Sequence, residues 1–207
     1  MKENPKLKDA YALSSTDEVK QLYRTWAHSY DAGFGDAQGY RLPYAVALAF
    51  VAAGGQGPVL DVGAGTGLLA EQLVQMGVGP IDALDLSEEM LGVADMKGIY
   101  ERLIAADVTK PIAINRVYKG IVSAGTFTFG HVGPEAISNL LNVAEQGAVF
   151  ALSVNLQHYE ASGFGNAMDG YADRISNFHA VDVRIYDDRA DARHRNDLAR
   201  IITFQKA

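Results

Sequence analysis

From Val59 to Leu73 the chain reads VLDVGAGTGLLAEQL: an apolar run, glycines at alternate positions (Gly63, Gly65, Gly67), then an amphipathic run. Four apolar-rich residues followed by a glycine turn and a 3.6-residue periodicity predict a strand that feeds directly into a helix. A turn this bare lets a ligand lie against the backbone, where any side chain would collide with it. The spacing, G-x-G-x-G, is not the G-x-G-x-x-G of a dinucleotide fingerprint, which seats a pyrophosphate at the helix N-terminus. Asp61 stands two residues before the first glycine. A carboxylate there is poorly placed for a diphosphate and well placed for a cationic amino group, so the spacing favours an amino acid joined to a nucleoside.

The pattern after this unit alternates. Strands are expected at 58–63, 81–86, 101–108, 117–123 and 148–154, with helices at 67–76, 87–97 and 134–145, which implies βαβ units and a parallel sheet covered on both faces. Two helices precede the first strand. One, in STDEVKQLYRTWAHSYD, opens with Ser15 at capping-box distance from Glu18 and carries Tyr23, Trp26 and Tyr30 on one face. The other, in RLPYAVALAFVAAGGQG, begins near Pro43 and stops at Gly54 and Gly55. At the C-terminal end, FHAVDVRIYDD and LARIITFQKA read as two strands joined by the charged turn RADARHRND, an antiparallel hairpin on the sheet edge with a solvated tip. One α/β domain over 1–207 follows, divided into N-terminal helices (1–55), a ligand-binding core (56–155) and a segment with a helix and the terminal hairpin (156–207).

Two more acidic residues end strands on the same edge. IDALDLSEEML places Asp85 twenty residues after Gly65, where a carboxylate accepts hydrogen bonds from ribose hydroxyls, and LIAADVTKP places Asp107 at a third loop, in reach of an adenine amino group. The chain has no cysteine and a formal net charge of −7. Disulfides, cysteine-ligated metals and thiol nucleophiles are therefore excluded, and the charge argues against a nucleic-acid partner. No histidine pair has metal-ligand spacing, so no metal is expected. No signal-peptide core or membrane-length apolar run is present, and the expectation is a cytoplasmic protein with no membrane partner. The sequence carries no signal for an oligomeric state.

With these residues in view, the chain resembles a class I S-adenosylmethionine-dependent methyltransferase, the Rossmann-like kind with a seven-stranded, mostly parallel sheet and an antiparallel C-terminal strand. VLDVGAGTG resembles the family's first motif, ALDLS its second and AADV its third, and LYRTWAHSYD resembles the helical lid of small-molecule members. GTFTFGHVGPEAI is similar to a methyltransferase-like subgroup related to the Williams–Beuren region protein. Two positions depart from many relatives: Lys119 replaces an aspartate at the start of the fourth strand, and Gln146-Gly147-Ala148 replaces Pro-Gly-Gly before the fifth.

The resemblance implies S-adenosylmethionine as cofactor, S-adenosylhomocysteine as product, and a small-molecule methyl acceptor. It implies that Asp61, Gly63, Gly65 and Gly67 surround the methionine portion, that Asp85 and Leu86 hold the ribose side, and that Asp107 and Val108 hold the adenine, with Ser123 on the fourth strand nearby. Tyr23, Trp26 and Tyr30 either anchor the core or border the sulfonium, whose charge favours aromatic faces. His131, in a loop after the fourth strand, is the first candidate for a general base and Tyr159 the second, each weighed against a structural role. Phe127, Phe129, Tyr159, Phe164 and Tyr171 suggest an aromatic rim for a partly apolar acceptor. The rival readings are a cofactor-binding protein without turnover and a nicotinamide-dependent oxidoreductase.

Overall fold

The computed structural model describes residues 39–129 and 132–207. Seven strands form one sheet in the order β3-β2-β1-β4-β5-β7-β6. They are β1 (Val59–Val62), β2 (Ile81–Asp85), β3 (Arg102–Ala105), β4 (Tyr118–Phe127), β5 (Ala144–Asn155), β6 (Ile175–Arg184) and β7 (Leu198–Lys206). The first five are mutually parallel, and β7 runs antiparallel to both β5 and β6. The chain therefore skips a place when β6 leaves room for β7. As a result β6 points the same way as β1 to β5, and its C-terminal end reaches the same edge of the sheet.

Alternation along each strand sorts side chains to two faces. On one, Val59, Ile81, Val122, Ala151 and Ile201 pack against α1 (Leu42–Ala52) and α2 (Leu68–Gln75) through Val46, Phe50, Leu69 and Leu73. On the other, Leu60, Val62, Ile121, Phe150, Leu152 and Phe204 pack against α4 (Ala136–Asn142) and α6 (Phe164–Gly170). Burial of both faces explains why β1 and β4 read as near-continuous apolar runs. The helix α3 (Glu88–Asp95) covers β2 with Leu91 against Ala83. Ser87 caps it, accepting a hydrogen bond from the Met90 N–H at 3.2 Å.

Among the described residues the expected elements are present, with three differences; the expected helix in STDEVKQLYRTWAHSYD lies outside them. The fourth helix ends at Asn142 and β5 begins at Ala144, because Lys206 Nζ donates to the carbonyls of Leu141 and Ala144, at 2.8 Å each, and satisfies the helix end early. Gly147, at φ +79°, lies where the β4–β5 register shifts between Tyr118 and Gly120. The expected acceptor-side helix is two short ones, α5 (Leu156–Ala161) and α6, separated by Gly163 at φ +69°.

At the far, N-terminal edge of the strands, the buried Asp82 carboxylate accepts from Arg116 at 3.1 Å to each oxygen and from the Tyr118 hydroxyl at 2.8 Å. This network braces β2 against β4 on the side away from the loops.

Candidate active site

The C-terminal edge of the sheet carries a cleft of about 200 Å³ that runs from the loop after β3 to the end of β6. Its centre is the turn between β1 and α2. Gly63, Gly65 and Gly67 all have positive φ (+66°, +54° and +93°), a region that L side chains rarely adopt. Their surroundings differ. A Cβ on Gly63 would run into the Thr126 hydroxyl, and one on Gly67 would come 3.1 Å from the Tyr100 ring, whereas one on Gly65 would meet nothing within 4 Å. Gly65 faces open cleft, and this is where bare backbone is available to a ligand.

Asp61, at the end of β1, is 1% exposed. The Tyr100 hydroxyl donates to its Oδ2 at 2.7 Å, and Oδ1 has no partner among the described residues. Burial pushes the Asp61 carboxyl up to about 7; the Tyr100 hydrogen bond opposes that rise and the nearby Asp85 charge adds to it. Asp85, at the end of β2, accepts from the Gly65 N–H through Oδ2 and from the Ser87 N–H through Oδ1, both at 2.8 Å. Burial raises its carboxyl too, against the pull of these backbone donors. Besides facing the cleft, Asp85 fixes the glycine turn. Asp107 closes the turn after β3, accepting from the Thr109 N–H at 2.9 Å and its hydroxyl at 2.6 Å.

Asp61, Gly63, Gly65, Asp85, Leu86, Asp107 and Val108 all line the cleft, as expected from sequence. Gly67 and Ser123 do not: Gly67 precedes the first helical turn of α2, and the fully buried Ser123 donates to the Val62 carbonyl at 2.7 Å. Thr126 donates to the same carbonyl at 3.0 Å, so two β4 hydroxyls hold the residue that precedes the glycine turn. Tyr23, Trp26, Tyr30 and His131 lie outside the described residues.

Tyr159 is not in the cleft. Its ring stacks on Phe164 (centroids 5.6 Å apart), with the Arg200 guanidinium 4.7 Å above it. Of the five aromatic residues expected at the rim, only Phe127 lines the cleft. Phe164 is buried in the core, Tyr171 packs against that core, and Phe129 meets the edge of the His158 ring. His158 is itself a positioning group: its Nε2 is 2.9 Å from the Val132 carbonyl and its Nδ1 2.9 Å from the Ser162 hydroxyl, which ties α5 to the cleft-lining end of the β4–α4 connection.

The sequence reading missed the wall beyond β5. Tyr40 and Tyr186 line it with ring centroids 5.9 Å apart, joined by an isolated antiparallel bridge. Backbone bonds from Arg41 N–H to the Ile185 carbonyl (2.9 Å) and from Asp187 N–H to the Gly39 carbonyl (3.0 Å) fasten the two segments. The charged hairpin tip is thus only partly solvated: Tyr186 at its base forms cleft wall, and Ala190 is buried. No signal in the sequence pairs positions this far apart. Tyr100 was missed for the same reason.

Among the described residues no cluster of three metal-ligating side chains occurs, and no helix is long and apolar enough to cross a membrane. Residues 59–147 match the methyltransferase domain family. Methyltransferase-like protein 27 of Homo sapiens is 28% identical over 168 residues, covering 75% of this chain and 67% of that protein. Two solved structures share the fold. The N-methyltransferase NodS of Bradyrhizobium japonicum with S-adenosylhomocysteine has a TM-score of 0.69 at 13% identity, over 91% of this chain and 98% of its own. The magnesium protoporphyrin IX methyltransferase of Synechocystis with bound S-adenosylmethionine has a TM-score of 0.64 at 19% identity, over 99% and 100%. The domain match over residues 59–147, the sheet order and the glycine turn agree with one another: the chain carries a methyltransferase-domain match on the Rossmann-like fold that these methyltransferases share.

Proposed function

We propose that the chain methylates a small-molecule acceptor at this cleft, using S-adenosylmethionine and releasing S-adenosylhomocysteine. The observation that carries the reading is the open space before Gly65, flanked along one edge by Asp61, Asp85 and Asp107. The residues fit the cofactor. Asp61 has an oxygen to spare for an ammonium group, Gly63 and Gly65 leave backbone exposed beside it, and Gly67 lets the turn enter α2. Asp85 keeps lone pairs for ribose hydroxyls after serving two backbone donors. Leu86 and Val108 offer apolar contact to a purine, and Asp107 an acceptor for its amino group. Ser123 acts at one remove, through the Val62 carbonyl.

When bound, the cofactor supplies a sulfonium methyl carbon that takes the acceptor's lone pair as its bond to sulfur breaks, leaving a neutral thioether. The chain's own work is alignment and exclusion of water. Tyr23, Trp26 and Tyr30 close over the cofactor in this reading, and His131 takes the acceptor's proton. The small-molecule class draws support from the porphyrin named for one structural neighbour and from the largely apolar cleft of about 200 Å³.

S-Adenosylhomocysteine at about 100 times its dissociation constant should stabilise the protein by about 2.7 kcal/mol, read as a melting shift, while NAD gives none. No shift with either sulfur nucleoside would refute the proposal. His131→Ala should keep that shift and lower turnover by about 10²–10⁴ in an assay with labelled methyl donor; unchanged turnover removes His131 from the chemistry.

A further inference from the structure

The two halves of the cleft differ in chemistry. Toward β1, β2 and β3 it is lined by Asp61, Asp85 and Asp107; among the described residues no carboxylate lines it toward β5 and β6, and no lysine, arginine or histidine lines it anywhere. What the second half offers is hydrogen-bond donors beside an aromatic wall. Asn155, at the end of β5, is 9% exposed. Its Oδ1 accepts the His158 N–H at 3.2 Å as the N-cap of α5, which fixes the amide's orientation and leaves Nδ2 as a donor without a partner among the described residues. Ser153, two residues earlier on the same face, accepts from the Gly125 N–H at 2.9 Å, so its own hydroxyl proton is uncommitted. Thr128 also lines the cleft, and its side-chain hydroxyl has no hydrogen bond among the described residues. Tyr40 and Tyr186 close this end, and the Tyr40 hydroxyl lies against Gly125, where any Cβ would strike it.

An amide N–H₂ that opens onto the cleft is matched by a ligand atom that accepts from it. An ammonium group has no lone pair to offer Nδ2. A carboxylate or phosphate could accept, but it would enter a buried site with no described cation and three carboxylates along the same cleft. An uncharged oxygen satisfies both conditions, and the pair of tyrosine rings favours a flat body. Resting on the methyl-transfer reading above, we propose that the β5–β6 half is the acceptor subsite and takes a flat, uncharged molecule whose carbonyl or hydroxyl oxygen accepts from Asn155 Nδ2, with Ser153 and Thr128 as auxiliary donors.

The test measures binding to the full chain saturated with S-adenosylhomocysteine, by ligand-observed NMR, for four matched probes: 4-hydroxyacetophenone, 4-hydroxybenzamide, 4-hydroxybenzoate and 4-hydroxybenzylamine. The two neutral probes should bind at least about tenfold more tightly than the anion and the amine. Asn155→Asp keeps the capping oxygen and the shape but replaces the donor with a charged acceptor, and Asn155→Ser keeps a cap without charge. Both should bind S-adenosylhomocysteine within about twofold of wild type and lose the neutral probes by about tenfold or more. Equal or tighter binding of 4-hydroxybenzoate, no binding of either neutral probe, or neutral-probe affinity unchanged in both variants overturns the proposal. Failure of the wild type to bind S-adenosylhomocysteine is a separate result, and it refutes the methyl-transfer reading instead.

Discussion

Cofactor affinity should depend on pH through Asp61. Its carboxyl is held up to about 7 by burial, so in the free protein it is half protonated near neutrality. An ammonium group beside it favours the ionised form, and binding is then coupled to proton release. If Asp61 is fully ionised in the complex, affinity scales with the ionised fraction of the free protein. That fraction is about one half at pH 7 and about one hundredth at pH 5, an affinity ratio of about fifty. The ligand's own α-amino group, with a pKa of about 8, stays cationic across this window and adds nothing to the slope.

Calorimetric titration with S-adenosylhomocysteine at pH 5, 6 and 7 should show this rise. At pH 6, binding in buffers of different ionisation enthalpy should report release of about 0.9 proton. Asp61→Asn preserves an acceptor for Tyr100 and should flatten the profile, which separates Asp61 from the also-raised Asp85. Tyr100→Phe removes the hydrogen bond that favours ionisation and should move the rise to higher pH. The free protein gives the converse sign. A raised carboxyl favours the fold while it is protonated, and that advantage is lost as pH climbs from about 4 to about 7. Asp61→Asn should therefore gain stability over wild type at pH 8, by up to about 4 kcal/mol, and show little difference at pH 4. Wild-type affinity that is flat from pH 5 to 7, or a slope that survives Asp61→Asn, would refute the argument.

Gly63→Ala and Gly65→Ala should separate fold from function. The first drives a methyl into the Thr126 hydroxyl and should lower the melting temperature strongly, while the second costs only its left-handed backbone, about 1–2 kcal/mol, yet should remove measurable S-adenosylhomocysteine binding. Asp85→Ala should weaken cofactor binding by about 1.5–3 kcal/mol and also loosen the glycine turn, seen as faster hydrogen exchange at Gly65; exchange at the wild-type rate would confine Asp85 to ligand contact. Arg116→Met, at the opposite edge, strips the cation from buried Asp82 and should cost about 3 kcal/mol of stability in denaturant titration with cofactor affinity unchanged.

The cofactor half of the cleft was legible in the sequence because its demands fall on consecutive residues. Asp61 and the three glycines sit within one strand–turn–helix unit, and Asp85 and Asp107 each end a strand of the same parallel set. The half toward β5 and β6 was not legible, because it is made by partners far apart in the chain. Tyr40 meets Tyr186 across the sheet edge that β6 forms beyond β7, and on the other side of the cleft Tyr100 reaches Asp61 across 39 positions. Tyr159 was misplaced for a related reason. Its place just after β5 suggests a residue facing the cleft, but the helix that starts at Leu156 carries it round to Phe164 and Arg200.

The position of β6, parallel to β1–β5 and last in the sheet, has a consequence for how such a molecule can diversify. Among the described residues, those proposed to hold the donor of the methyl group fall between 59 and 128, and most of those proposed to face the molecule receiving it between 128 and 186. The second stretch can therefore be rewritten, by loop exchange or recombination after β4, without disturbing the first. The clasp between residues 39–41 and 185–187 adds one condition: a transplanted hairpin must bring its own matching N-terminal segment, so specificity here would be inherited as two distant pieces of chain that have to travel together.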